Sequence, residues 1–133
     1  MNKLFLAIIV CGISSVQASE WEYLGETDEF RYELDRQSIR KVPTGYSTIS
    51  SNVTQFWVKK IVINDISKDG LGLGDYTKNL YHVNCSADLL GFKTEVKYKG
   101  NRVIDSYTDS YVKMTPIIPD TVGSSFAKAI CDH

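Results

Sequence analysis

Residues 30–35 read Phe-Arg-Tyr-Glu-Leu-Asp, so apolar and charged side chains alternate without interruption. A period of two is typical of a β-strand with one buried face, because successive side chains in a strand point to opposite sides. Phe30, Tyr32 and Leu34 are therefore predicted to face a core. The composition favours the same structural class, since the chain has 8 Tyr, 5 Phe and 2 Trp, and aromatic residues are enriched in strands.

Five more stretches carry strand-like patterns, and turn residues separate several of them. They comprise residues 21–24, 46–63, 81–85, 92–99 and 103–111. Residues 46–63 are long enough for one bent strand or for two, and residues 38–41 either continue the strand at 30–35 or form a turn. Gly100 and Asn101 fit a two-residue hairpin turn. Residues 64–75 have no apolar period and are predicted to form a loop.

The alternation also predicts which side chains share a face. Within the stretch 46–63, one face is expected to carry Ile49, Val53, Trp57, Ile61 and Ile63. Within the stretch 92–99, one face is expected to carry Phe92, Thr94, Val96 and Tyr98, and the other Lys93, Lys97 and Lys99. This lysine row has two interpretations, a patch for an acidic partner or an ordinary solvated strand face. Val103, Tyr107 and Tyr111 are expected to share a face of the sixth strand.

The pattern changes near the C-terminus. Prolines make residues 114–119 extended, and Val122, Phe126 and Ile130 then follow at intervals of four, which predicts a helix with one apolar stripe. Asp120 or Thr121 can cap its start. The fold class is therefore α+β: an antiparallel meander of about six strands with one C-terminal helix packed on it.

The first eighteen residues are predicted to be a secretory signal peptide. Lys3 precedes an apolar run from Leu4 to Val10, and Ala18 supplies a small residue at the cleavage site. The mature domain would then span residues 19–133, with a formal net charge of −2 once Lys3 is removed. Cys11 leaves lipid attachment open as an alternative. Export to the periplasm or the outer cell surface follows from either interpretation.

Cys85 and Cys131 are the two cysteines of this mature domain. Exported proteins mature in oxidising compartments, so these two residues are predicted to form one disulfide, which pins the helix to the fourth strand. Two unpaired thiols are the alternative. The bridge would close a loop of about 46 residues and stabilise the fold by roughly 3–4 kcal/mol.

Few residues suggest catalysis or a bound cofactor. The net charge of −1 gives no support for a nucleic-acid partner, and no run after the signal peptide is long enough to cross a membrane. His82 and His133 are the two histidines, with His82 expected as an exposed strand residue and His133 as a frayed terminus. A non-enzymatic protein without a cofactor is therefore predicted.

One loop has the beginning of a calcium-binding pattern. Asp65, Ser67 and Asp69 offer oxygen atoms at alternate positions before Gly70, as in an EF-hand loop. Tyr76 occupies the twelfth position, where such loops carry a bidentate Glu. An ordinary turn rich in Asp, Ser and Gly is the alternative interpretation.

The order of these signals resembles the surface-adhesin protein E-like family of Gram-negative envelope proteins. The resemblance rests on short motifs that occur in the family's order. They are Trp21 with residues 25–27, residues 30–40, residues 56–58, residues 81–85, Tyr98 with residues 100–101 and Ser106, residues 116–119, and Cys131. Together they extend over nearly all of residues 21–131. The resemblance implies an antiparallel sheet with a C-terminal helix and a Cys85–Cys131 bridge.

The resemblance also implies an envelope protein, and the founding adhesin binds host matrix and plasma proteins. A binding module of this kind, with no binding residue assigned, is the first functional hypothesis. A periplasmic protein that holds a small ligand or inhibits an enzyme is the second. An unpaired edge strand would be compatible with a homodimer.

Overall fold

The computed structural model describes residues 20–43 and 52–132. The elements in chain order are β1 (Trp21–Glu26), β2 (Phe30–Lys41), β3 (Val53–Val62), β4 (Tyr76–Asn84), β5 (Leu89–Lys99), β6 (Arg102–Thr108), β7 (Thr115–Pro116) and α1 (Val122–Cys131). The first six strands form an antiparallel sheet in the order β1-β2-β3-β4-β5-β6, and β7 pairs with β5. The predicted meander with one C-terminal helix is confirmed. The predicted signal peptide, Cys11, Ile49 and His133 lie outside the described residues.

Helix α1 covers one face of the sheet, which we call the helix face. Leu34, Phe56 and Val83 have no exposed surface there, and Phe126 packs its ring 5.2 Å from that of Tyr81. The prediction that Leu34 faces the core is confirmed. The apolar stripe of the helix is confirmed as well, since the core also includes Ala127 and Ile130.

A capping box begins the helix. The Ser124 backbone N–H donates to Oγ1 of Thr121 at 3.2 Å, and the Thr121 backbone N–H donates to Oγ of Ser124 at 3.1 Å. These reciprocal bonds satisfy donors that a helix N-terminus otherwise leaves without partners. Thr121, rather than Asp120, is therefore the N-cap.

The disulfide joins Cys85, just after β4, to Cys131 at the end of the helix, and their Cα atoms are 5.7 Å apart. The bridge holds the C-terminal turn of α1 at the end of β4, a central strand of the sheet. The prediction of one disulfide between these two residues is confirmed.

The apolar residues of β3 do not by themselves show which face of the strand meets the helix. Val53, Trp57 and Ile61 share a face, because the pairing of β3 with β4 is regular from Val53 to Ile61. The helix packs on the opposite face, where Phe56 and Val58 are buried. Alternation shows which residues group together, but both faces of this strand carry large apolar side chains.

The prediction that Phe92 and Thr94 share a face is wrong. Phe92 lies opposite Tyr81, and Thr94 lies opposite Leu80, with a register shift between the two pairs. Adjacent residues of β4 point to opposite faces, so Phe92 and Thr94 do as well. A β-bulge inserts one extra residue into a strand, and the side chains beyond it change faces.

A second register shift overturns the predicted face of β6. Tyr98 lies opposite Val103, whereas Lys97 lies opposite Asp105. Val103 therefore shares the helix-free face with Tyr98, and Tyr107, two residues after Asp105, lies on the helix face. Tyr111 lies beyond the end of β6.

Candidate functional site

The outer edge of the sheet at β6 is the main candidate for a binding site. Strand β6 ends the strand order, and within the described ranges it pairs with β5 alone. All seven of its residues are exposed. Val103 is 52% exposed and Tyr107 58% exposed. A strand with an open edge presents backbone N–H and C=O groups that can pair with another extended chain.

The hairpin that leads into β6 is held by the carboxylate of Asp75. Its Oδ1 accepts from the Gly100 backbone N–H at 2.9 Å, and its Oδ2 accepts from the Gly72 N–H at 2.9 Å. These bonds favour the ionised form, so they hold the pKa of Asp75 below its usual value. Gly100 has a φ of +60°, a conformation that favours glycine in a hairpin turn. The start of the edge strand is therefore fixed to the β3–β4 loop.

The other end of β6 is fixed by Tyr107. Its ring stacks on Phe92 with centroids 6.4 Å apart and an interplanar angle of 6°. Its hydroxyl donates to Oδ1 of Asp109, and this bond to a carboxylate raises the pKa of Tyr107. The two contacts hold an exposed aromatic side chain in one position beside the open edge.

Strand β6 also carries features that protect edges from indiscriminate pairing. The register shift places Ile104 between the pairs made by Val103 and Asp105, and Arg102 and Asp105 add charges. Bulges and charged residues are common devices on natural edge strands. A strand that paired with this edge would have to match both the bulge and the charges.

His82 lies half-buried on β4, opposite Gly91 of β5. Burial, and then the positive charge of Lys93, lower its pKa, so the imidazole is neutral at pH 7. Within the part of the chain that the structure describes, its ring has no serine or carboxylate as a hydrogen-bond partner. The prediction that His82 is an exposed strand residue is correct for the strand and wrong for the exposure.

The calcium candidates do not converge on one point. Oδ2 of Asp65 lies 3.3 Å from Nζ of Lys68, and the Ser67 hydroxyl donates to Oε2 of Glu29 at 2.7 Å. Oδ1 of Asp69 accepts from the Leu71 backbone N–H at 3.2 Å. Residues 20–43 and 52–132 contain no group of three or more His, Cys, Asp or Glu side chains that could hold a metal ion. The loop uses these side chains as turn and tether residues.

The predicted lysine row of β5 is not a continuous patch. The ammonium of Lys93 donates to the Asp109 carbonyl, Lys97 lies 3.8 Å from a Glu95 oxygen, and Lys99 donates to the Gly70 carbonyl at 3.0 Å. The bulge in β5 interrupts the alternation of side chains between Lys93 and the other two lysines. Each charge is engaged within the chain.

The free volume where the sheet meets the helix is divided among several cavities. A cavity of about 70 Å³ lies between the sheet and the helix, lined in part by Leu24, Tyr32, Val122 and Phe126. Small-molecule sites are usually about 300–1,000 Å³. This cavity is too small for such a ligand, whereas two open grooves beside the helix, of about 410 Å³ and 370 Å³, fall within that range.

No known protein family matches the chain, and no curated protein or solved structure is significantly similar to it.

The sequence predicted β6 as a strand but did not show that it is an edge. Its position follows from the order of all the strands, which alternation does not contain. The bulge did leave a signal, since Val103 and Ile104 are adjacent apolar residues that break the period of two. A break of this kind in a predicted strand indicates a change of face.

Proposed function

We propose that the chain is an exported, non-enzymatic binding module of a bacterial envelope that recognises a protein partner at the edge of β6. The observation that carries this proposal is the open edge of β6, where all seven residues are exposed. A partner segment in an extended conformation adds a strand to this edge and gains backbone hydrogen bonds. Val103 and Tyr107, which lie on opposite faces, then contact alternate side chains of that segment.

Two features support export. The sequence predicts a signal peptide at residues 1–18, and the Cys85–Cys131 bridge is typical of oxidising compartments. No helix among the described residues is long and apolar enough to cross a membrane. The resemblance to the surface-adhesin protein E-like family supports membership of that family and directs the search toward host matrix and plasma proteins.

The test is binding of the purified mature chain to immobilised matrix and plasma proteins. We expect saturable binding that Tyr107→Lys weakens strongly, because a lysine beside the edge disfavours strand addition. Tyr111→Lys is the matched control, since Tyr111 is 81% exposed and lies outside the strand. Equal binding by both variants would contradict recognition at β6, and no saturable binding to any of these proteins would exclude the adhesin function.

Cell fractionation tests the location. Protease digestion of intact cells is expected to remove a surface adhesin. Recovery of the intact chain in the periplasm alone would exclude contact with host proteins and favour a periplasmic binding role.

A further inference from the structure

Two lysines lie directly opposite each other on the helix-free face of the sheet. Lys59 of β3 pairs with Lys78 of β4 in the antiparallel register. Like charges in directly opposed positions destabilise a sheet. This arrangement costs folding free energy. The contacts that stabilise the two ammonium groups, and the function that two adjacent charges could serve, therefore need an explanation.

Aromatic rings hold both ammonium groups. Nζ of Lys59 lies 4.6 Å from the Tyr76 ring centroid and 5.4 Å from that of Trp21. Nζ of Lys78 lies 5.1 Å from the Tyr98 centroid and 5.6 Å from that of Trp21. Both lysines therefore share one indole ring, and the distances are those of cation–π contacts. We call these five residues the lysine–aromatic cluster.

The supporting rings form a rigid base. Tyr76 and Tyr98 stack with centroids 4.7 Å apart and an interplanar angle of 16°, and they are paired in the β4–β5 register. Trp21 reaches the cluster from the first strand. All five side chains are half-buried, so a part of each is open to solvent.

Neither ammonium is neutralised by a carboxylate in the described part of the chain. The four ion pairs there involve other residues. Glu33 lies opposite Lys59 on the β2 side, but its carboxylate is not within 4 Å of the lysine. A ring attracts a cation without cancelling its charge, so two positive charges remain side by side on a chain whose formal net charge is −1.

We propose that the lysine–aromatic cluster binds an acidic saccharide, with the anionic group between Lys59 and Lys78. Lysine offers a compact charge with three donors, which suits a sulfate, phosphate or carboxylate oxygen. The rings are half-buried, and their exposed parts provide apolar surface for the C–H groups of a sugar. The site uses the face of β3 and β4 and does not depend on the proposed strand addition at β6.

The test measures the affinity of the mature chain for five probes by calorimetry at low salt, one of them poly-L-glutamate, an acidic polymer without sugar. Dextran sulfate and polygalacturonate are expected to bind, in a manner that added NaCl weakens. Neutral dextran has the sugar without the acidic group, so it tests whether binding needs the charge. Inorganic sulfate has the charge without the sugar, so it tests whether binding needs the sugar. Dextran sulfate carries sulfate groups and polygalacturonate carries carboxylates, so a comparison of their affinities also shows which acidic group the site prefers.

The variants separate binding from folding. Lys59→Gln/Lys78→Gln is expected to lower affinity at least about tenfold, whereas Lys59→Arg/Lys78→Arg keeps the charges and retains binding. Lys128→Gln, on the helix, is the matched control and leaves affinity unchanged. The unfolding temperature of the double Gln variant should stay close to that of the parent, because the loss of the cation–π contacts offsets the removal of the opposed like-charge pair.

Several results would overturn the proposal. They are equal binding of neutral dextran, binding of inorganic sulfate as tight as that of the polymers, tighter binding of poly-L-glutamate than of either acidic polymer, and unchanged affinity in the double Gln variant. Loss of binding in Tyr107→Lys with the cluster intact would assign the saccharide to the β6 edge instead. Failure of protein binding at β6 leaves these measurements unaffected.

Discussion

The part of the sheet beneath α1 and the β5–β6 hairpin are held by different forces. Beneath the helix, Leu34, Phe56 and Val83 are fully buried and a disulfide closes the structure. In the hairpin, all of β6 is exposed and is held by backbone pairing, by the Asp75 carboxylate and by one ring stack. The comparison predicts that most of the folding free energy comes from the region beneath the helix and that substitutions in the outer strand leave the domain folded.

The largest effect is expected for Phe126→Ala. This ring contacts Tyr32 and Tyr81, with centroids 5.5 Å and 5.2 Å away, and its removal leaves a cavity under the helix. We expect a loss of about 3–5 kcal/mol in the free energy of unfolding, measured by urea denaturation. A loss below about 1 kcal/mol would contradict the prediction that the region beneath the helix contributes most of the stability.

Removal of the disulfide is expected to have a comparable or slightly smaller effect. In Cys85→Ala/Cys131→Ala the loop of 46 residues is no longer closed in the unfolded chain. The expected loss is about 3–4 kcal/mol, measured by denaturant unfolding beside the parent protein. An unchanged midpoint would show that the helix is held by its packing alone.

Gly91→Ala tests a close approach between two segments of the chain, because residues 112–114 pass directly beside Gly91 of β5. An added Cβ would lie 2.5 Å from Cγ1 of Val112 and 2.9 Å from the Lys113 carbonyl oxygen. Because a backbone atom must shift, we expect a loss of about 1–3 kcal/mol in thermal or urea unfolding.

Gly72→Ala is the control for this substitution. Its added Cβ meets Oδ2 of Asp75 at 3.8 Å, an ordinary contact. Similar unfolding midpoints for the two alanine variants would contradict the close approach at Gly91.

Acid is expected to loosen the hairpin locally. The folded-state pKa of Asp75 is lowered by the Gly100 and Gly72 N–H groups, so its contribution is present above the unfolded pKa of about 3.9 and is lost as pH falls through the folded value. NMR should show faster exchange of the Gly100 amide in that range. Asp75→Asn should remove most of this pH dependence, and an unchanged acid response in this variant would exclude Asp75 as its source.

The smallest effect on folding is expected for Val103→Ser. This side chain is exposed on β6, so its substitution should change the free energy of unfolding by about 0.5 kcal/mol or less. Partner binding at the edge should fall nonetheless. A large loss of stability would show that β6 belongs to the core, which would weaken its assignment as a recognition strand.

Alternation and spacing predicted much of this fold for physical reasons. The inward side chains of β2 follow from the strict pattern at residues 30–35, and α1 follows from the spacing of Val122, Phe126 and Ile130. The disulfide follows from the two cysteines that remain once the predicted signal peptide is removed. These are local or counted properties, which a sequence contains directly.

The binding surfaces could not be predicted in the same way. The bulges in β5 and β6 reverse the faces of Thr94 and Tyr107 relative to a simple alternation. The lysine–aromatic cluster joins Trp21 to Lys78 across strands far apart in sequence. Both features depend on strand register, which one-dimensional patterns determine only where they stay regular.

The cross-link also sets how the molecule responds to tension. A pull on the chain beyond Cys131 passes through the sulfur atoms to Cys85 and enters the sheet at the end of β4. Strand β4 is hydrogen-bonded on both sides, so the load reaches a central strand and bypasses the hairpin and the helix. Residues 86–130, which include the β6 edge, therefore lie outside the path of the force, so we expect that edge to keep its shape when the chain is pulled.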